Sequence, residues 1–308
     1  YGGGDCFVVE ADEYDTAFFD KRAKFVHYRP RTLILNNLEY DHADIYKDLD
    51  AILWQFHQLL RTVPRGGRIL VNAADENIRR LVDMGCWTPR ESFSLEEGAD
   101  WQAGFVDSSE RHIRISDRQG RSAESRWLLG GSHNLENALA AVAAARSAGV
   151  EFEQAVDALS RFEGVKRRME RTATVGDIAI YDDFAHHPTA IRRTIAAMKR
   201  RDPGNRLVVA LEPRSNTMKL GVHNRELAES LEQADLVWMY RPEEMGEDFD
   251  AALAPLGKKL RAFRDYDGLV SDMSTRVLAG DQVVFMSNGG FGGARQTLTA
   301  VLQRTRGS

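Results

Sequence analysis

Residues 178–189 read Ile178-Ala179-Ile180-Tyr181-Asp182-Asp183-Phe184-Ala185-His186-His187-Pro188-Thr189. The first four form an apolar run and predict a strand over 178–181. Two aspartates end it, and the chain turns into a helix predicted over 189–200. The same pattern then recurs. Strands are predicted at 206–211, 235–240, 259–263 and 282–286. Helices fall between them at roughly 224–233, 248–254 and 266–278, and a last one runs from 293 to about 304. Repeated strand–helix alternation specifies an open, mostly parallel sheet covered on both faces, a Rossmann-like α/β domain. Ligands of such sheets bind at the carboxyl ends of the strands. Here those ends are Asp182-Asp183, Glu212-Pro213-Arg214 and Ser287-Asn288-Gly289-Gly290.

Before about residue 164 the pattern differs. Thr32-Leu33-Ile34-Leu35 is a short apolar run of the kind buried in a parallel sheet. Leu49, Ile52, Leu53, Phe56, Leu59 and Leu60 then repeat at helical spacing, and Pro64 with Gly66-Gly67 closes the helix. A strand follows at 68–71 and a helix at 75–84. Short alternating segments over 93–129 predict small antiparallel strands. A helix at about 134–148 ends at Gly149. Phe7-Val8-Val9 reads as a buried strand, and the chain starts at Tyr1 rather than Met. We therefore expect it to begin in mid-domain. Two domains are predicted, 1–163 and 164–308. The first, with an uncovered sheet edge, should be the less stable.

The 308 residues are 43% hydrophobic and 28% charged, with a net charge of -5. No apolar run approaches the roughly 20 residues that span a bilayer. No concentrated basic face suggests nucleic acid. Cys6 and Cys86 form no metal-binding spacing and are expected to be buried thiols in a reducing cytosol.

Five segments carry candidate chemistry. Glu10-Ala-Asp12-Glu13-Tyr-Asp15 is either an exposed acidic turn or a cation site. Asn37-Leu-Glu39-Tyr-Asp41-His42-Ala-Asp44, also at a strand end, sets a carboxylate beside an imidazole, a pair suited to magnesium or phosphate. Gly130-Gly-Ser-His133-Asn134-Leu-Glu-Asn137 opens a helix. Asn134 caps that helix, or Asn134 and Asn137 read the edge of a base. Gly164-Val-Lys166-Arg167-Arg168-Met-Glu170 places three cations at the domain junction, facing solvent or a phosphate. In 182–189, a carboxylate suits a ribose hydroxyl and His186 with the helix start suits phosphates.

In this order the five segments resemble the Mur ligases over nearly the whole chain. The resemblance implies a partial central mononucleotide-binding domain of the P-loop type, followed by a Rossmann-like C-terminal domain. It implies ATP and Mg2+. It assigns Glu10 and His42 to magnesium, and His133, Asn134 and Asn137 to adenine. Arg168 and His186 would meet phosphates, and Asp183 the ribose. Glu212-Pro-Arg214-Ser-Asn216-Thr-Met-Lys219 and Ser287-Asn-Gly-Gly-Phe-Gly-Gly293 resemble the branch that joins L-Ala-γ-D-Glu-meso-diaminopimelate to UDP-N-acetylmuramate in peptidoglycan recycling. Arg214, Ser215, Asn216, Ser287 and Asn288 are then the candidates for the peptide's carboxylates. The implied reaction phosphorylates the lactyl carboxylate, and the peptide amine displaces phosphate.

Two departures matter. The family's Gly-x-x-Gly-Lys-Thr/Ser loop and its UDP-sugar domain should precede Glu10 and are not in this sequence, so the chain alone is expected to be inactive. No lysine lies in 48–61, where some members carry a carbamoylated one, and His57 stands near that place. The alternatives are the L-alanine-adding branch, a non-catalytic nucleotide-binding module, and a metal-dependent hydrolase.

Overall fold

The computed structural model describes residues 3–306. The chain divides into two compact units, 1–163 and 164–308.

The first unit opens with a small hairpin, β1 (Asp15–Ala17) and β2 (Asp20–Ala23). Then follow β3 (Thr32–Leu35), α1 (Leu49–Thr62), β4 (Arg68–Asn72), α2 (Glu76–Asp83) and β5 (Arg90–Ser94). After these come β6 (Trp101–Phe105), β7 (His112–Ser116), β8 (Ser122–Arg126), α3 (Ser132–Ser147) and α4 (Phe152–Ala158). Strands β3 to β8 make one sheet in sequence order, parallel from β3 to β6 and antiparallel from β6 to β8. β4 shows why both faces are covered. Ile69 and Val71 pack with Ile52, Leu59 and Leu60 of α1 on one face. Leu70 packs with Leu135, Leu139 and Val142 of α3 on the other. Asp48 and Asp75 cap α1 and α2 by accepting from the amides of Ala51 and Ile78.

α3 begins two residues earlier than its pattern indicates. Gly131, at φ 91°, precedes it, a conformation that favours glycine. Asn134 therefore lies inside the first turn and is not the cap. At the other end Gly149 donates to Arg146 and Val150 to Ala145, which closes the last turn.

Two expectations fail here. Phe7, Val8 and Val9 form no strand and are 80%, 92% and 48% exposed. A β-prone run needs a neighbour to pair with, and this one finds none among the described residues. The cysteines are not buried: Cys6 is exposed in the same segment, and Cys86 is half-buried beside the Thr88 carbonyl.

The second unit contains β9 (Glu170–Val175), β10 (Ile178–Asp183), α5 (Pro188–Arg201), β11 (Leu207–Leu211), α6 (Asn216–Lys219) and α7 (Asn224–Ser230). It continues with β12 (Leu236–Tyr240), α8 (Glu247–Leu253), β13 (Leu260–Phe263), α9 (Tyr266–Arg276), β14 (Gln282–Met286) and α10 (Ala294–Arg306). The strand order is β13-β12-β11-β14-β10-β9, all parallel except the edge strand β9. Val209 and Leu211 of β11 face α5, α7 and α8 through Ile191, Ile195, Leu227 and Phe249. Val208 and Ala210 face α9 and α10 through Leu269, Met273, Leu298 and Leu302. β11 and its neighbour β14 thus lead into helices on opposite faces. Their outgoing chains diverge, and the divergence opens a crevice at their carboxyl ends.

Phe18 and Phe19 sit at the tip of the β1–β2 hairpin and are 93% and 90% exposed. Brief chymotrypsin treatment should cut there or within 7–28 first, leaving 164–308 intact. A first cut inside 164–308, read by mass spectrometry, would contradict this.

Candidate functional site

In the first unit, segments 10–15 and 37–44 meet at one contact. His42 Nε2 lies 2.7 Å from Glu13 Oε1. His42 has φ 54°, and its amide donates to its neighbour Asp41 at 2.7 Å. Its carbonyl accepts from Ile45 and Tyr46. The Tyr14 ring stands edge-on to the imidazole at 4.2 Å, and the Tyr46 hydroxyl donates to the Glu13 carbonyl. Burial pulls the imidazole pKa down. The hydrogen bond and charge of Glu13, with Asp41 and Asp44, outweigh it and leave the pKa raised.

The carboxylate in contact with His42 is therefore Glu13, whereas the sequence pointed to Glu10. Glu10 is exposed, since no strand at 7–9 fixes its place. Among the described residues no group of three or more His, Cys, Asp or Glu is placed to hold a metal. Magnesium bound mainly through water and phosphate oxygens needs fewer protein ligands than that. His57 is elsewhere: it is buried on α1 between Trp54 and Trp87, and neither ring nitrogen has a hydrogen-bond partner.

The amides of α3 form a second cluster. Asn137 Oδ1 accepts from Asn36 Nδ2 at 2.6 Å, and Asn134 Nδ2 donates to the Gly130 carbonyl at 2.7 Å. Asn72 Nδ2 donates to the Asn36 carbonyl at 2.9 Å. Asn36 Oδ1 is buried without a hydrogen-bond partner, an unsatisfied acceptor in this cluster. His133 is half-buried in the same first turn.

In the second unit the remaining candidates gather at the carboxyl ends of β10, β11 and β14. Asp183 is 2% exposed. Its Oδ2 accepts from the Met169 amide at 2.7 Å and its Oδ1 from the Ala185 amide at 2.8 Å. Burial raises its pKa, against those two bonds and the charge of Arg168. The sequence suggested a ribose ligand. In the structure this buried carboxylate ties loop 165–169 to the turn into α5.

Arg167 and Arg168 lie over the Phe184 ring at 5.0 and 5.2 Å. Arg167 also donates to the carbonyls of Ser287 at 2.6 Å and Gly289 at 2.5 Å. His186 Nδ1 is 2.9 Å from the Phe184 carbonyl. Asp182 stands between Arg167 at 3.7 Å and Arg295 at 3.4 Å.

Ser215 caps α6 through Met218 N, and Asn216 is exposed beside it. Arg214 is exposed, and its stem lies against Gly289: a methyl group there would be 2.4 Å from Arg214 Nη1. Ser287 is buried and donates to Glu212 at 2.5 Å. Asn288 Oδ1 is buried without a partner. Glu212, 3% exposed, takes its other bond from Tyr266 at 2.6 Å. Burial and then Glu212 push the Tyr266 hydroxyl far above its ordinary pKa. Glu13, Arg167, Asp182, Glu212 and Arg295 were not singled out from the sequence as site residues, although four of them lie in the segments quoted. Tyr266 lies in none of these segments, and no local motif marks it.

Two family models match the chain: the Mur ligase middle domain over residues 2–145, and the Mur ligase glutamate ligase domain over 167–289. The chain belongs to the Mur ligase family. It is 45% identical over 304 residues to the UDP-N-acetylmuramate–L-alanyl-γ-D-glutamyl-meso-2,6-diaminoheptandioate ligase of Escherichia coli K12, covering 96% of this chain and 65% of that protein. A UDP-N-acetylmuramate–L-alanine ligase of Desulfitobacterium hafniense Y51 is 33% identical over 240 residues, 77% of this chain and 51% of that protein. Among solved structures, a murein peptide ligase from Psychrobacter arcticus 273-4 is 42% identical with a TM-score of 0.72, covering 95% of this chain and 62% of that one. The chain thus spans less than two thirds of the length of these relatives.

Replacing Asp183 by Ala leaves two buried amides without acceptors. Urea unfolding of the Asp183→Ala variant should show a loss on the order of 3 kcal/mol. A loss under about 1 kcal/mol would remove the clamp from the account.

Proposed function

We propose that this chain carries the middle and C-terminal parts of an ATP-dependent ligase that joins L-Ala-γ-D-Glu-meso-diaminopimelate to UDP-N-acetylmuramate. The observation that carries this reading is the convergence of segments 212–219 and 287–293. Both singled out the tripeptide branch, and they border one crevice at the ends of β11 and β14. The higher identity to a tripeptide ligase than to an L-alanine ligase supports the same choice.

In the proposed reaction the lactyl carboxylate takes the terminal phosphoryl group of ATP and releases ADP. The peptide's amine then attacks the acyl carbon, the bond from that carbon to the phosphate oxygen breaks, and the nitrogen gives up a proton. Mg2+ would neutralise phosphate charge during the first step. In the first unit, Asn134, Asn137 and the unsatisfied acceptor of Asn36 suit the edge of adenine. The Glu13–His42 pair, with Glu10 nearby in sequence, is the place for a cation shared with phosphate oxygens. In the second unit Arg168, stacked on Phe184, is the phosphate-facing cation, and His186 stands beside the same ring. Arg167 holds loop 287–289 instead.

Arg214 has no ion-pair partner among the described residues and is exposed, which suits a substrate carboxylate. Ser215, Asn216 and Asn288 add polar groups around it. Ser287 acts from beneath, since its hydroxyl is already engaged.

The test uses the protein as encoded by its gene, with ATP, magnesium and UDP-N-acetylmuramate. Phosphate release is measured with the tripeptide and separately with L-alanine. Release with the tripeptide is expected, and release with L-alanine alone would sink the reading. Arg214→Ala should raise the KM for the tripeptide at least about tenfold while leaving the KM for ATP nearly unchanged.

A further inference from the structure

We infer that Tyr266 is a positioning residue for the incoming amine substrate, fixing the seat of Arg214 through Glu212, Ser287 and Gly289. This rests on the proposed reading of Arg214 as the ligand of a substrate carboxylate.

The connection is continuous. The Tyr266 hydroxyl donates to Glu212 Oε1 at 2.6 Å, and the Ser287 hydroxyl donates to Glu212 Oε2 at 2.5 Å. Ser287 Oγ accepts from the Gly289 amide at 2.8 Å. Gly289 is the surface on which the Arg214 stem lies, so close that a methyl group would be 2.6 Å from its Cδ. Each link is short, and Glu212 and Ser287 are nearly excluded from water.

Charge explains why the hydroxyl matters. Glu212 is a buried carboxylate whose only hydrogen-bond donors among the described residues are two hydroxyls. Arg214 is two residues away and has no ion-pair partner among the described residues. Without the Tyr266 hydroxyl, Glu212 Oε1 lacks a donor and competes for the guanidinium carried two residues along the chain. Tyr266 therefore keeps Glu212 turned toward Ser287 and leaves Arg214 free for the substrate.

The tyrosine itself is locked. Its ring stacks on Tyr240 at 4.3 Å with an interplanar angle of 12°. The ring also lies against Gly292, at φ 55°, where a Cβ would come within 2.3 Å of it. A second-layer residue so constrained can hold a first-layer group to a single position.

The experiment measures steady-state constants for wild type, Tyr266→Phe and Gly289→Ala. Phenylalanine keeps the ring contacts and removes only the hydroxyl. Alanine at 289 keeps the hydroxyl network and displaces the arginine. Both variants should raise the KM for the amine substrate roughly tenfold. Their kcat and their KM for ATP and UDP-N-acetylmuramate should stay within about twofold of wild type. An unchanged amine KM in Tyr266→Phe overturns the inference. So does a parallel change of all the constants, which marks a merely structural role. A wild type that uses L-alanine in place of the tripeptide overturns the proposed substrate but leaves the same split to be read with L-alanine. Turnover with neither amine overturns both.

Discussion

The carboxyl ends of β10 and β11 are each closed by a carboxylate that water scarcely reaches. Asp183 is held by two backbone amides and Glu212 by two hydroxyls. Burying an anion is costly unless its oxygens are satisfied, so both side chains must keep their donors in place. Three of the four donors belong to loops, 165–169 and 184–187 around Asp183 and 287–289 beside Glu212, and the fourth is Tyr266 at the start of α9. Arg168, His186, Arg214 and Asn288, the groups proposed to meet ligands, are carried on or against those loops. Their placement therefore depends in part on two side chains that are almost fully buried.

This division of labour follows from the topology. A parallel sheet with helices on both faces leaves its strand ends as the open border, and the divergence of β11 and β14 adds a crevice. Tight turns cannot fill such a crevice alone. Glycine at 289 lets an arginine stem lie on the backbone, and glycine at 292 lets an aromatic ring do the same. In the first unit the equivalent anchoring is looser. The Glu13–His42 contact joins two residues that lie outside any strand or helix, and residues 3–11 before them are exposed.

The fold was legible in the sequence where periodicity is strong. Each of the five parallel strands of the second unit and the helix α1 lie within a residue or two of their predicted bounds, because their apolar residues serve one or two buried faces. The edge strand β9 was missed: Glu170-Arg-Thr-Ala-Thr-Val175 is polar on its open side and has no apolar run to mark it. The short helix α4 was missed because its two turns carry only Phe152, Ala155 and Val156 to mark a buried face. Phe7-Val8-Val9 failed differently, since a strand requires a partner and sequence pattern does not supply one.

The site was legible as segments rather than as roles. Motif positions drew attention to Glu10 and Asp183. Contact geometry puts Glu13 against His42 and makes Asp183 internal, and neither is a matter of residue type. Tyr266 reaches Glu212 across more than fifty residues of chain, so no local pattern announces it.

The central claim is that buried carboxylates hold these strand-end loops rigid. Amide hydrogen exchange on the wild-type protein tests it most directly, read at Met169, Ala185 and Gly289. The account predicts slow exchange at all three, comparable to the neighbouring strands, although none lies in a helix or strand. Exchange as fast as in the exposed segment 5–10 would show that the carboxylates do not anchor the loops, and the account would fall.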